Sequence, residues 1–156
     1  MDKNLFRKTE AILYSYNDLV SKIKCLELEI KDVENLYEGC GAIEYKEKIQ
    51  ATNKFNSLVE NEVINKEKIL DKLNKELYSK RILKEKIDST IERFNDSERK
   101  LVELRYTNRN MLSWDQIGYI LGFNADYCRQ KFRKRVINKL TDTIFINPYR
   151  QEKLNL

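Results

Sequence analysis

An all-α protein is what this sequence predicts, and three observations carry the prediction. Four glycines and one proline in 156 residues leave little turn chemistry for a many-stranded sheet. From Ile12 to Tyr37 apolar and aromatic residues recur in alternating steps of four and three, the spacing of a heptad seam. After residue 96, short segments follow one another with their own start and stop signals. The predicted order is a long N-terminal helical hairpin or coiled coil, then a C-terminal helix-turn-helix domain.

The first helix is expected over about residues 4–37. Leu5, Ile12, Tyr16, Leu19, Ile23, Leu26, Ile30, Val33 and Tyr37 form its apolar stripe, while Lys22, Lys24, Glu27, Glu29 and Lys31 occupy the faces between. One continuous helix of that span is about 50 Å long and apolar on one side only, so it needs a partner. Glu38-Gly39-Cys40-Gly41 supplies the glycines that end it, and Ala42 to Asn56 reads as a loop or short helical piece. Ser57-Leu58-Val59-Glu60 has the form of a capping box and predicts the start of a second long helix. Val59, Val63, Leu70, Leu73 and Leu77 form its seam, continued by Leu83, Ile87, Ile91 and Phe94 after a change of phase. The two stripes can close on each other as an antiparallel hairpin or on a second chain, which makes a homodimer or higher homo-oligomer through these helices an expected partner.

Asn95-Asp96-Ser97 presents three consecutive N-cap residue types, and the domain boundary is placed there: residues 1–96 for oligomerisation or docking, residues 97–156 for a separate domain with a C-terminal tail. In that domain a first helix from about Ser97 to Tyr106 turns Leu101, Val102 and Leu104 inward. A second starts at Ser113-Trp114-Asp115-Gln116, buries Ile117, Ile120 and Leu121, and ends at Gly122. A third begins at Asn124 and runs to about Leu140, with Cys128, Phe132, Val136 and Leu140 on its inner face and Phe123 plugging the core beside the turn. Gly118 is expected where the second and third helices cross, a place where a side chain crowds. The stretch Thr141 to Leu156, containing Pro148, is left without an element.

Charge divides by position. Residues 1–98 hold 18 Lys+Arg against 20 Asp+Glu, a net of −2, whereas residues 99–156 hold 12 against 5, a net of +7. A basic end on a near-neutral body points to a polyanion partner. Without histidine, Ser-His-Asp and Cys-His catalysis and every histidine-containing metal site are excluded, and three cysteines cannot build an all-cysteine zinc site. Cys25, Cys40 and Cys128 are scattered and odd in number, which suits neither a disulfide framework nor a redox pair. No enzyme, metal or cofactor is therefore expected. The N-terminus lacks an apolar signal region and no 18-residue apolar run occurs, so the expectation is a cytoplasmic protein with no membrane partner.

An eight-residue helix, a glycine-centred turn and a longer basic helix match the helix-turn-helix pattern, in which the N-terminal part of the third helix enters the DNA major groove. The expected DNA-contacting residues are Asn124, Ala125, Asp126, Arg129, Gln130, Lys131, Arg133 and Lys134. Arg129 and Gln130 are the base-reading candidates, since Arg donates two bonds to guanine and Gln pairs bidentately with adenine. Lys131, Arg133, Lys134 and Arg135 are expected to neutralise phosphates. A basic run by itself is most often a solvated helix face, but the capped helix, Gly122 and Asn124 predict the scaffold independently of charge. Trp114 and Tyr119 are read as packing residues and Cys128 as a small buried apolar side chain.

The segment LVELRYTNRNMLSWDQIGYILGFNADYCRQKFRKRVINKL, residues 101–140, resembles the region-4 helix-turn-helix of bacterial sigma-70 factors in its L-R-Y helix end, its W-x-x-I-G-x-x-L-G second helix and the Arg129-Gln130 pair. The chain as a whole resembles the phage late-gene transcriptional regulators of the autolysin-regulator (ArpU-like) and RinA-like group, with TNKFNSLVENEVINKE similar to the start of their central helix. That resemblance implies a sequence-specific transcription regulator of a phage or prophage, an activator of late genes that binds double-stranded DNA and acts with host RNA polymerase in the bacterial cytoplasm. Tyr127 near the start of the third helix and Arg135 depart from the common sigma pattern, so a sigma-type target sequence does not transfer. Two other readings stand beside it: a phage small terminase subunit, and a polymerase-binding protein whose C-terminal domain contacts protein instead of DNA.

Overall fold

The computed structural model describes the backbone of residues 3–35 and 54–146, and side chains from residue 63 onward in the second stretch. The fold is all-α, and no strand occurs among the described residues. Its helices are α1 (Lys3–Tyr14), α2 (Tyr16–Asn35), α3 (Lys54–Glu92), α4 (Asp96–Val102), α5 (Trp114–Leu121), α6 (Ala125–Tyr127) and α7 (Arg133–Ile144). Two wide turns of π type, Glu103–Thr107 and Cys128–Phe132, extend α4 and join α6 to α7. The expected turn at residues 38–41, most of the 42–56 segment and residues 147–156 of the tail lie outside the described residues.

The helix expected over residues 4–37 is broken at Ser15. Its hydroxyl donates to the carbonyls of Ala11 and Ile12, both at 3.1 Å, and this back-bonding bends a helix. The break changes the phase. In α1 the fully buried residues are Thr9 and Leu13, while Leu5 and Ile12 of the expected stripe are half-buried. Beyond the break the seam holds, with Leu19, Ile23, Leu26 and Ile30 buried at steps of four, three and four. At the start of α3 the backbone is already helical at Lys54, so Ser57 stands inside the helix and does not cap it. Lys54-Phe55-Asn56 contains no breaker, and the S-x-x-E pattern is equally compatible with a helix interior.

The chain divides into two compact units, whose described residues are 3–20 with 82–146, and 21–35 with 54–81. The expected boundary at residue 96 therefore falls inside the first unit, because α1 belongs with the C-terminal helices. In the smaller unit the helices pair within the chain and run antiparallel: Lys22 lies 3.3 Å from Glu76, Arg81 reaches Glu27 at 2.6 Å, and Lys66 donates to the Glu34 carbonyl at 2.9 Å. Leu77 is buried there, whereas Leu28, Ile69 and Tyr78 are exposed.

In the larger unit α1 packs on α7. The hydroxyls of Thr9 and Thr141 meet at 2.8 Å, and Tyr106, itself fully buried, donates to Glu10 at 2.9 Å. Asn95 caps α4 by accepting from the Glu98 amide at 2.8 Å, and Glu98 returns the bond to the Asn95 amide. Glu98 is only 1% exposed, and Lys139 supplies its countercharge at 2.7 and 2.9 Å with Arg135 at 3.2 Å. Helix α7 runs one turn past Leu140, to Ile144, because Thr141 and Ile144 are both buried.

Candidate nucleic-acid interface

The site is built on the joint between α5 and α6. Ser113 accepts from the Gln116 amide at 3.3 Å and Gln116 returns a bond to the Ser113 amide at 2.9 Å, so α5 starts at the reciprocal box that the sequence spells. It stops at Gly122, whose φ of 69° lies in the left-handed region. Phe123 then donates its amide to Gly118 at 2.9 Å and Gly122 donates to Tyr119 at 3.4 Å, the paired bonds of a Schellman closure. Asn124 caps the next helix by accepting from the Asp126 amide at 2.8 Å. A Cβ at Gly118 would stand 2.7 Å from the Phe123 carbonyl oxygen and 3.1 Å from the Ala125 nitrogen. Both glycines thus do what their positions predict, one making the turn and the other allowing the two backbones to cross.

Several side chains around the joint depart from expectation. Ile117 and Gly118 are buried, but Ile120 is half exposed and Tyr119 is 91% exposed. Phe123 is also exposed on one side, where its ring meets Tyr127 at 5.4 Å and Phe132 at 5.6 Å. Trp114 does pack, with the Arg105 guanidinium 4.8 Å from its ring. Cys128 is buried, and burial pushes its thiol up from the ordinary value, which keeps it protonated and inert.

The expected DNA-contacting residues separate into two sets. Arg129, Gln130, Lys131 and Lys134 are exposed along one stretch of the helix after the turn, and Asp126 pairs with Arg129 at 2.7 Å. Both partners of that pair face water, so it holds Arg129 only weakly. Asn124 is occupied as the cap, and Ala125 is half-buried beside the Gly118 crossing. Arg133 has a partner within the chain. It reaches Glu10 at 2.7 and 2.9 Å, lies over the Phe6 ring at 5.5 Å and is 30% exposed, so it ties α7 to α1. Arg135 likewise pairs with buried Glu98 at 3.2 Å and lies over the Phe132 ring at 4.9 Å, with half of its side chain exposed. The wide turn contributes to this: the Arg133 amide donates five residues back, to Cys128, which advances the basic residues after it relative to a regular helix.

Sequence reasoning missed what flanks this stretch. Lys3, Phe6 and Arg7 of α1 form one side of an open groove of about 760 Å³, and Arg129, Gln130, Arg133, Lys134 and Asn138 form the other. The one signal in the chain was the Lys3/Arg7 spacing of four, which puts both cations on one helix face. Among the described residues no group of His, Cys, Asp or Glu is placed to hold a metal ion, and no helix is long and apolar enough to cross a membrane.

A family model described as a protein of unknown function, DUF722, matches residues 5–142. The chain belongs to the DUF722 family. The match begins in α1 and ends in α7, so the region that defines DUF722 takes in the joint, the exposed basic stretch and the helix that flanks it. No curated protein and no solved structure matches the chain.

Proposed function

We infer that this DUF722 protein is a non-enzymatic, sequence-specific DNA-binding regulator of transcription, with α5, the turn and the helix from Ala125 onward acting as a helix-turn-helix. One observation carries the reading: the capped α5, left-handed Gly122 and the close crossing at Gly118 leave Arg129, Gln130, Lys131 and Lys134 exposed on the first turns of the following helix. In this reading Arg129 and Gln130 read base edges, while Lys131 and Lys134 contact phosphates. Asp126 holds Arg129 until DNA displaces it. The resemblance to phage late-gene regulators supports a late-gene activator in a bacterial cytoplasm, working as a homo-oligomer with host RNA polymerase. A second reading, docking of this domain on the polymerase, is favoured by exposed Tyr119 and Ile120 on α5.

The test is fluorescence-anisotropy binding of the full chain to duplex fragments from around its own gene, at several salt concentrations. One preferred fragment is expected, and Arg129→Ala with Gln130→Ala should cost it about 10- to 100-fold while unrelated duplexes change less. Equal weak binding to every fragment, untouched by the substitutions, would overturn the reading in favour of protein docking.

A further inference from the structure

We propose that the N-terminal end of α1 is part of the DNA interface, with Lys3 and Arg7 gripping the sugar-phosphate backbone beside the base pairs that Arg129 and Gln130 read. The proposal rests on the DNA-binding reading and extends its footprint to a helix more than 100 residues away in the chain.

The charge balance of the groove is the first argument. Arg133 is matched by Glu10 and Arg129 shares Asp126, but Lys3, Arg7 and Lys134 have no carboxylate partner among the described residues. The residues lining the groove include no acid. Folding therefore sets unneutralised cations from two sequence-remote helices around one opening. Their mutual repulsion costs stability, and an entering polyanion reverses the sign of that cost.

Rigidity is the second argument. A flexible basic arm would add affinity without register, whereas α1 is fixed to α7 at three points: the Thr9–Thr141 contact, the Glu10–Arg133 pair and Arg133 over Phe6. Lys3 stands three residues before Phe6 and Arg7 stands between Phe6 and Thr9 on the same helix, so their position relative to Arg129 is set by packing. Phosphate contacts held in this way fix how a reading helix sits in the groove of the duplex. The shape also fits the chemistry, since the groove is open to solvent and is lined by Lys3, Arg7, Arg129 and Lys134 beside the Phe6 ring, over which Arg133 lies. A phosphodiester chain is the polyanion that lies directly beside a helix seated in the major groove.

The experiment compares Lys3→Ala/Arg7→Ala with the parent chain, on the preferred duplex and on a random-sequence duplex, across a salt series. A control, Lys24→Ala/Lys31→Ala on α2, removes the same charge elsewhere. Circular dichroism checks the fold, and Lys3→Gln/Arg7→Gln replaces the alanine variant if α1 loses helicity. The expected result is a roughly equal loss of several-fold on both duplexes, with the preference between them kept and the slope of log affinity against log salt shallower by about 2. Affinity and slope equal to those of the control would overturn the proposal while leaving the DNA-binding reading intact. Tighter binding would also overturn it, because α1 would then screen the reader. Loss of the preference would replace a backbone grip by base reading and overturn it equally. A parent chain that binds neither duplex would remove the proposal and the reading together.

Discussion

Leu101, Ile117 and Leu140 in the larger unit are wholly shielded from water, whereas Ile23, Leu26, Ile30 and Leu77 in the smaller unit each keep 7–8% of their surface exposed. Five helices, the adjoining ends of α2 and α3 and two wide turns can enclose a side chain from all directions, but two antiparallel helices can cover it from one direction only. The same contrast holds for polar groups. The larger unit buries Thr9, Thr90, Glu98 and Thr141 and satisfies each of them, while the ion pairs of the smaller unit are surface pairs. Stability and specificity of fold are thus concentrated where the candidate interface sits, and the hairpin is held mainly by one seam.

The sharpest way to break that comparison is to truncate matching leucines. Leu101→Ala should cost about 4 kcal/mol and Leu26→Ala about 2 kcal/mol, read from urea midpoints, because water can reach the second gap. Equal costs would mean that the seam of the hairpin is as fully enclosed as the larger core. Gly118→Ala should cost about 1–3 kcal/mol, since the new methyl meets a carbonyl oxygen that cannot step aside; a neutral result would mean the two helices cross less closely than 2.7 Å implies. The smallest effect is alkaline. Burial pushes the hydroxyls of Tyr106 and Tyr16 well above the ordinary tyrosine value, with Glu10 and Asp88 as their acceptors adding to the shift. Their contribution is therefore complete below about pH 10, where unfolded tyrosine stays protonated, and is lost as pH rises beyond it. Between pH 10 and 11 stability should fall by about 1 kcal/mol on account of Tyr106, with a smaller, solvent-screened share from Tyr16, and Tyr106→Phe should make that fall shallower in urea titrations.

Local signals were legible and long-range ones were not. The Ser113 box, Gly118, Gly122 and the Asn124 cap involve partners within a few residues, and the heptad seam through Leu19, Ile23, Leu26 and Ile30 is written in its own spacing whatever covers it. The pairing of Arg133 was hidden for the opposite reason, as its partner Glu10 lies 123 residues away. The pairing of Arg135 was hidden likewise, since nothing near it announces that Glu98 is buried. The boundary at residue 96 was drawn from a real cap at Asn95, but a cap marks the start of a helix and carries no information on which helices pack together. Ser15 was hidden because a back-bonding serine does not interrupt an apolar period.

The meeting of Thr9 with Thr141 also fixes an order of events during synthesis. Elongation at about 5–20 residues per second separates the appearance of those two threonines by on the order of ten seconds. Throughout that interval Phe6, Thr9 and Glu10 have been made and the helix that contacts them has not. The packing of α1 in the larger unit is therefore completed only once α7 has left the ribosome.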